Sequence, residues 1–162
     1  MTSVLLVDDH PLVRAGLADL LAGSEHIEVV GEAGDGRQAV ELVSRLRPDV
    51  VLMDLSMPVL DGVAATRLVL QEVPSTRVVV LTSFADRHRM AEAVAAGAVG
   101  FLLKDCDPRD LVGAVCSVAR GHGPLDPRLA DDRWWEPPRW LPGLRHSRQP
   151  RVAAPGRAVN AR

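Results

Sequence analysis

Two adjacent carboxylates, Asp8 and Asp9, close the apolar run VLLV at 4–7, and a third, Asp54, stands near the end of DVVLMDL at 49–55. Like charges side by side raise one another's cost of ionising. The pair therefore caps a helix or shares a cation. Thr82 and Ser83 end RVVVLTS at 77–83, and Lys104 ends VGFLLK at 99–104. If these residues converge, oxygen-only ligands suit Mg²⁺, which takes few protein carboxylates and keeps several waters. A carboxylate beside such an ion can attack a phosphoryl group, because the metal offsets repulsion between the two anions. Lys104 can pair with the incoming phosphoryl oxygens, and Thr82 can donate a hydrogen bond to them.

Convergence depends on the elements that carry these residues. Five apolar runs, at 4–7, 27–33, 49–55, 77–83 and 99–104, alternate with segments of helical spacing, and one more such segment follows the last run. In the first helical segment Val13, Leu17, Leu20 and Leu21 share a face, and Gly23 is expected to end it in a left-handed turn. In the last, Leu111, Val115 and Val118 repeat the pattern between an Asp107 N-cap with Pro108 at the first helical position and a closing Gly121. Strands that are apolar almost throughout are buried on both faces, so the expected fold is α/β, a flavodoxin-like (βα)5 doubly wound parallel sheet. Right-handed crossovers leave strand order 2-1-3-4-5 as the natural one. In such a sheet ligands bind beyond the carboxyl ends of the strands, where the order reverses. All the residues above stand at those ends.

Singly, each has a plainer explanation. Asp8 and Asp9 precede Pro11 and suit a helix N-terminus; Asp54 could be a turn acid, Thr82 a strand-end hydroxyl and Lys104 a solvated lysine. Their joint occurrence, each at the ligand end of the right strand, outweighs those readings. His10 is read as an N-cap or surface residue in preference to a second phosphoacceptor.

Composition narrows the setting. Hydrophobic residues make up 47% of the 162 and aromatics only 3%, so the core must be aliphatic. No apolar run approaches the roughly 18 residues that span a bilayer, and the N-terminus lacks a basic region before its apolar run. Cys106 and Cys116 have neither metal nor disulfide-framework spacing. A cytoplasmic protein with no membrane partner is expected. Residues 131–162 hold 7 of the 19 basic residues and 3 of the 21 acids, which leaves 12 and 18 for residues 1–130, a balance of −6 against +4 for the tail.

VDDHPLVRAGL, VVLMDLSMPVLDG, Thr82-Ser83 and GAVGFLLKD resemble the response-regulator receiver domain of bacterial two-component signalling, and are most similar to the subgroup with a LuxR-type helix-turn-helix output domain. The resemblance covers residues 3 to about 130, DPRLA at 126–130 included. It implies a phosphoacceptor switch, not a turnover enzyme, in which Asp54 takes a phosphoryl group from a sensor histidine kinase. Asp9, Asp54 and the Ser56 carbonyl would ligate Mg²⁺, with Asp8 acting through bound water. Thr82, Ser83 and Lys104 would contact the phosphoryl group, and Ser56 and Phe84 would control water access. Phe101 takes the position of the switch aromatic and reads equally well as a plain core residue. Dimerisation through the face of helix 4, strand 5 and helix 5 is a further implication.

Rival chemistries fit less well. A haloacid-dehalogenase-type phosphatase needs a second acid two residues after its nucleophile, where Ser56 stands. A flavodoxin would need a hydroxyl- and glycine-rich phosphate loop after the first strand, where Asp8 and Asp9 would repel the phosphate, and GEAGDG at 31–36 does not match a dinucleotide fingerprint. We expect a receiver domain over 1–122, a linker over 123–132 and an irregular Arg/Pro/Trp-rich tail over 133–162, largely disordered. The 32 residues after Ala130 have no helix-turn-helix pattern. Specific DNA binding is therefore not expected. The alternative is a transcriptional regulator whose output domain is lost by truncation or frameshift, leaving a receiver-only or non-specific nucleic-acid-binding protein.

Overall fold

A computed structural model of the chain describes residues 1–83 and 87–121. The expected linker and tail, and Phe84, lie outside the described residues. Ten elements alternate strictly: β1 (Thr2–Val7), α1 (Pro11–Ala22), β2 (Ile27–Ala33), α2 (Gly36–Leu46), β3 (Val50–Asp54), α3 (Gly62–Glu72), β4 (Arg77–Thr82), α4 (Arg87–Ala95), β5 (Gly100–Leu103) and α5 (Pro108–Ala119). All sheet pairings are parallel, in the order β2-β1-β3-β4-β5, as expected.

The unbroken apolar strands resolve into two alternating faces. Leu6, Leu52, Leu81 and Leu102 point to one side, where Leu21 of α1 and Leu111, Val115 and Val118 of α5 cover them. Leu5, Val7, Val51 and Met53 point to the other, against Ala39 and Val43 of α2 and Ala65 and Val69 of α3. A third, smaller cluster joins Leu55, Val63, Val80 and Phe101 to Met90 and Ala93 of α4.

Register decides what meets at the carboxyl edge. Val7 pairs with Met53, Asp54 with Leu81, and Thr82 with Leu103. Asp8, Asp54, Thr82 and Lys104 thus leave the sheet on neighbouring rungs. At the opposite edge Asp49 accepts from both the backbone N–H and the hydroxyl of Ser3 (2.8 and 3.0 Å), and Ser3 Oγ accepts from Asp49 N (2.9 Å), tying β1 to β3.

Helix ends follow local chemistry. Asp35, Asp61 and Asp107 each cap the helix that follows them, accepting from Gln38 N, Ala64 N and Arg109 N respectively. Pro108 opens α5, and Gly121 closes it at φ 93° with its N–H on the Val118 carbonyl. Two expectations about α1 need correction. Gly23 is right-handed (φ −71°, ψ −8°), because the last turn tightens and Ser24 N bonds the Leu21 carbonyl. Val13 is exposed, while Leu17, Leu20 and Leu21 face inward, so the buried stripe begins one turn later than the spacing suggests.

Candidate functional site

Asp8, Asp54, Thr82 and Lys104 leave adjacent strands, and the first three are buried. Lys104 Nζ bridges two carboxylates, 2.6 Å from Asp8 Oδ2 and 3.3 Å from Asp54 Oδ1. The Lys104 N–H also donates to the Thr82 carbonyl (2.8 Å), which fixes where the lysine leaves β5. Asp8 is held further by the His10 N–H on Oδ1 (2.9 Å) and by Arg14 Nη1 on its carbonyl (2.6 Å). Arg14 also pairs with Glu32 (3.3 Å), which links α1 to β2 behind the pair of acids.

The two aspartates do not cap α1 through their side chains. His10 occupies the N-cap position without a side-chain cap bond and is two-thirds exposed, a surface placement consistent with its sequence reading. Burial pushes the Asp54 carboxyl above its ordinary value, Lys104 pulls it back, and the Asp8 charge adds to the rise. For Lys104, burial works against the charge, but the Asp8 hydrogen bond and the two carboxylate charges outweigh it, so its pKa is raised.

The donor set fits a hard cation. One ligand atom each from Asp8, Asp9, His10 and Asp54 lies within 4.8 Å of the others. Asp9 Oδ1 is buried without a hydrogen-bond partner among the described residues, and although His10 Nδ1 is 2.9 Å away the two form no hydrogen bond. A carboxylate oxygen buried without a hydrogen bond, beside two further acids, suits the oxygen-rich shell of a hard cation.

Ser56 is exposed, and its N–H reaches Asp54 Oδ1 at 3.4 Å. Ser83 is exposed at the end of β4, and Phe101 is buried in the small cluster under α4. Asp8, Asp9, Asp54 and Lys104 thus come together directly. Thr82 is joined to Lys104 through its backbone, and Phe101 lies one layer below. Sequence reasoning missed Arg14 and Arg89. Arg14 follows Asp8 by six residues on the first turns of α1, a local signal that could have been read. Arg89 of α4 donates from Nη1 to Ser56 Oγ (2.7 Å) and from Nη2 to the Leu55 carbonyl (2.8 Å), and no local pattern announces a contact across 33 residues.

A doubly wound sheet with acids and a lysine gathered at its switch point defines a class of ligand-responsive α/β domain. Residues 4–116 match the response regulator receiver domain family, and the chain belongs to it. It is 40% identical to the transcriptional regulatory protein LiaR of Bacillus subtilis over 91% of this chain and 66% of that protein. With the DNA-binding transcriptional activator DevR/DosR of Mycobacterium tuberculosis the identity is 41%, over 80% of this chain and 60% of the relative. Among solved structures, a LuxR-family two-component response regulator from Aurantimonas sp. SI85-9A1 superposes with TM-score 0.77 at 35% identity, covering 80% of this chain and 93% of that one. The signal receiver domain of the putative response regulator NarL from Mycobacterium tuberculosis gives 0.72 at 39%, covering 75% and 98%. The chain spans about 60 to 66% of the length of these two curated relatives. It is a receiver domain of the two-component signalling family, which is not a family of classical enzymes. Among the described residues no helix is long and apolar enough to cross a membrane.

Proposed function

We propose that Asp54 accepts a phosphoryl group from a sensor histidine kinase and that the modified domain switches the behaviour of a partner. The observation that carries this reading is the buried Asp54 carboxylate with Lys104 Nζ 3.3 Å away, beside a donor set in which Asp9 Oδ1 is buried without a hydrogen bond among the described residues. Asp9, Asp54 and the Ser56 carbonyl, with Asp8 through water, would hold Mg²⁺. Bound there, the ion offsets the repulsion between the attacking carboxylate and the phosphoryl group.

The chain's own residues do the rest. Burial makes the Asp54 carboxylate more basic, and so a better nucleophile. One of its oxygens attacks phosphorus in line; the P–N bond to the kinase imidazole breaks, and its electron pair returns to the ring nitrogen. Lys104 then exchanges the Asp54 carboxylate for a phosphoryl oxygen while keeping Asp8. Thr82 Oγ1 and the Ser83 N–H donate to the same group. A Thr82 hydroxyl drawn toward the phosphoryl group vacates space into which Phe101 can turn, biasing α4 and β5 between two arrangements.

The relatives named above as transcriptional regulators make transcription control the natural output. The exposed surface of α4, β5 and α5 is the partner or dimer face on this reading. Incubation with Mg²⁺ and a small phosphodonor, followed by intact mass, tests the acceptor. The parent is expected to gain one phosphoryl group and Asp54→Asn none; an equal gain in both rejects Asp54.

A further inference from the structure

The Arg89 contact is not used by the chemistry above. Its guanidinium rests on the two residues that follow the proposed acceptor, in the fork geometry to which arginine is suited. The Leu55 carbonyl it meets also accepts from Gly62 N (3.0 Å). That same stretch is pressed against α3 so closely that a Cβ on Gly62 would collide with the Asp54 carbonyl. The backbone leaving Asp54 is therefore held from two sides, by α3 through Gly62 and by α4 through Arg89. Ser56 is exposed, its N–H reaches Asp54 Oδ1, and its hydroxyl accepts from Arg89.

We propose that Arg89 is a positioning residue that sets how long Asp54 stays phosphorylated; the inference rests on Asp54 being the acceptor. In the loss reaction a water oxygen attacks phosphorus, the P–O bond to Asp54 breaks, and its electron pair returns to the carboxylate. The two water hydrogens leave with the released phosphate as H₂PO₄⁻. The attacking water needs an acceptor for one of its protons to hold it in line. Ser56 is exposed two residues after Asp54 and its Oγ could take that role, but it already accepts from a guanidinium, which occupies one lone pair and withdraws density from the other. Arg89 thereby weakens the Ser56 hydroxyl as the acceptor that would orient the water. Because it bonds Leu55 and Ser56 and not the Asp54 carboxylate, the arginine acts through the loop.

The test is the first-order loss of the phosphoryl group, followed by intact mass after the phosphodonor is removed, for the parent, Arg89→Ala, Ser56→Ala and the double variant. Arg89→Ala is expected to lose the group about tenfold faster, equivalent to about 1.4 kcal/mol in the barrier. The tenfold effect of Arg89→Ala should largely vanish in the Ser56→Ala background, so that the double variant loses the group at close to the rate of Ser56→Ala. Arg89→Lys, which keeps the charge but not the fork, should fall between the parent and Arg89→Ala. A rate for Arg89→Ala equal to the parent's overturns the proposal. So does a tenfold effect that persists in the Ser56→Ala background, since a merely structural role would not depend on the hydroxyl. If the parent takes up no label, the acceptor assignment fails and this inference with it; if it does and Arg89→Ala decays normally, only the arginine's role is lost.

Discussion

At the scale of single residues, the site is an electrostatic compromise, and Asp54 carries its cost. Burial raises the carboxyl above its ordinary 3.8, and Asp8 adds to the rise, with Lys104 only partly compensating. The folded chain therefore binds the Asp54 proton more tightly than the unfolded chain does. The sign follows directly. Below the unfolded value both states are protonated and nothing is lost, whereas as pH rises through the folded value the folded state bears the cost of an ionised buried acid. Asp54→Asn removes that cost and leaves the Lys104–Asp8 pair intact. In a chelator, the variant is expected to melt higher than the parent at about pH 7, with the gap closing as the pH falls toward about 4. Thermal melts at the two pH values check this, and a parent more stable than the variant at neutral pH contradicts it. The acids, the lysine and Thr82 were legible because each ends a strand whose type the apolar runs betray. Arg89 was not, because its partners lie 33 and 34 residues away and only the packing of α4 brings them near.

At the scale of elements, the loop between β3 and α3 holds a local strain. Val59 has φ 68°, a left-handed conformation that a β-branched side chain adopts only at a cost of roughly 1–2 kcal/mol. It is 75% exposed, so little burial offsets that cost. Val59→Gly relieves the clash, and glycine gives back part of the gain as unfolded-chain entropy. We expect a net stabilisation of about 1 kcal/mol, or about 3 °C in Tm, read from thermal or urea unfolding; a loss of stability would show that the loop's contacts hold Val59 without strain. The same loop shows what the sequence conveys about elements. Strand order, helix number and the Asp107–Pro108 start of α5 could be read because burial on both faces and capping chemistry are local signals. The glycines at 36 and 62 carry no signal of their own in the sequence, yet both sit where a Cβ would strike a neighbouring segment, Gly36 against the Leu60 carbonyl and Gly62 against Asp54 and Leu55. Close approach of two segments leaves no mark on either one alone. The left-handed turn expected at Gly23 failed for a related reason: a glycine permits φ > 0 but does not require it, and the last turn of α1 closes without it.

At the scale of the whole molecule, charge is divided unevenly along the chain. Residues 1–130 carry −6 and residues 131–162 carry +4, the latter from seven arginines against three acids. The acidic portion repels a nucleic-acid duplex and the basic portion attracts it, and at low ionic strength the two portions also attract each other, which competes with any duplex. The basic residues meet phosphate as charges, and phosphate contacts carry no sequence information of their own. The chain is therefore expected to bind duplex DNA weakly, with a Kd no tighter than about 10⁻⁶ M at physiological salt, the non-specific range. Seven arginines can neutralise at most seven phosphates, so log K should fall with log[salt] at a slope no steeper than about −6. Titration of a fluorescent promoter duplex and its scrambled counterpart across a salt series checks both numbers, with equal affinity for the two expected at every ionic strength. A tenfold preference for one promoter would contradict charge-only binding, and a slope steeper than the arginine count allows would mean that basic residues within 1–130 also meet phosphate.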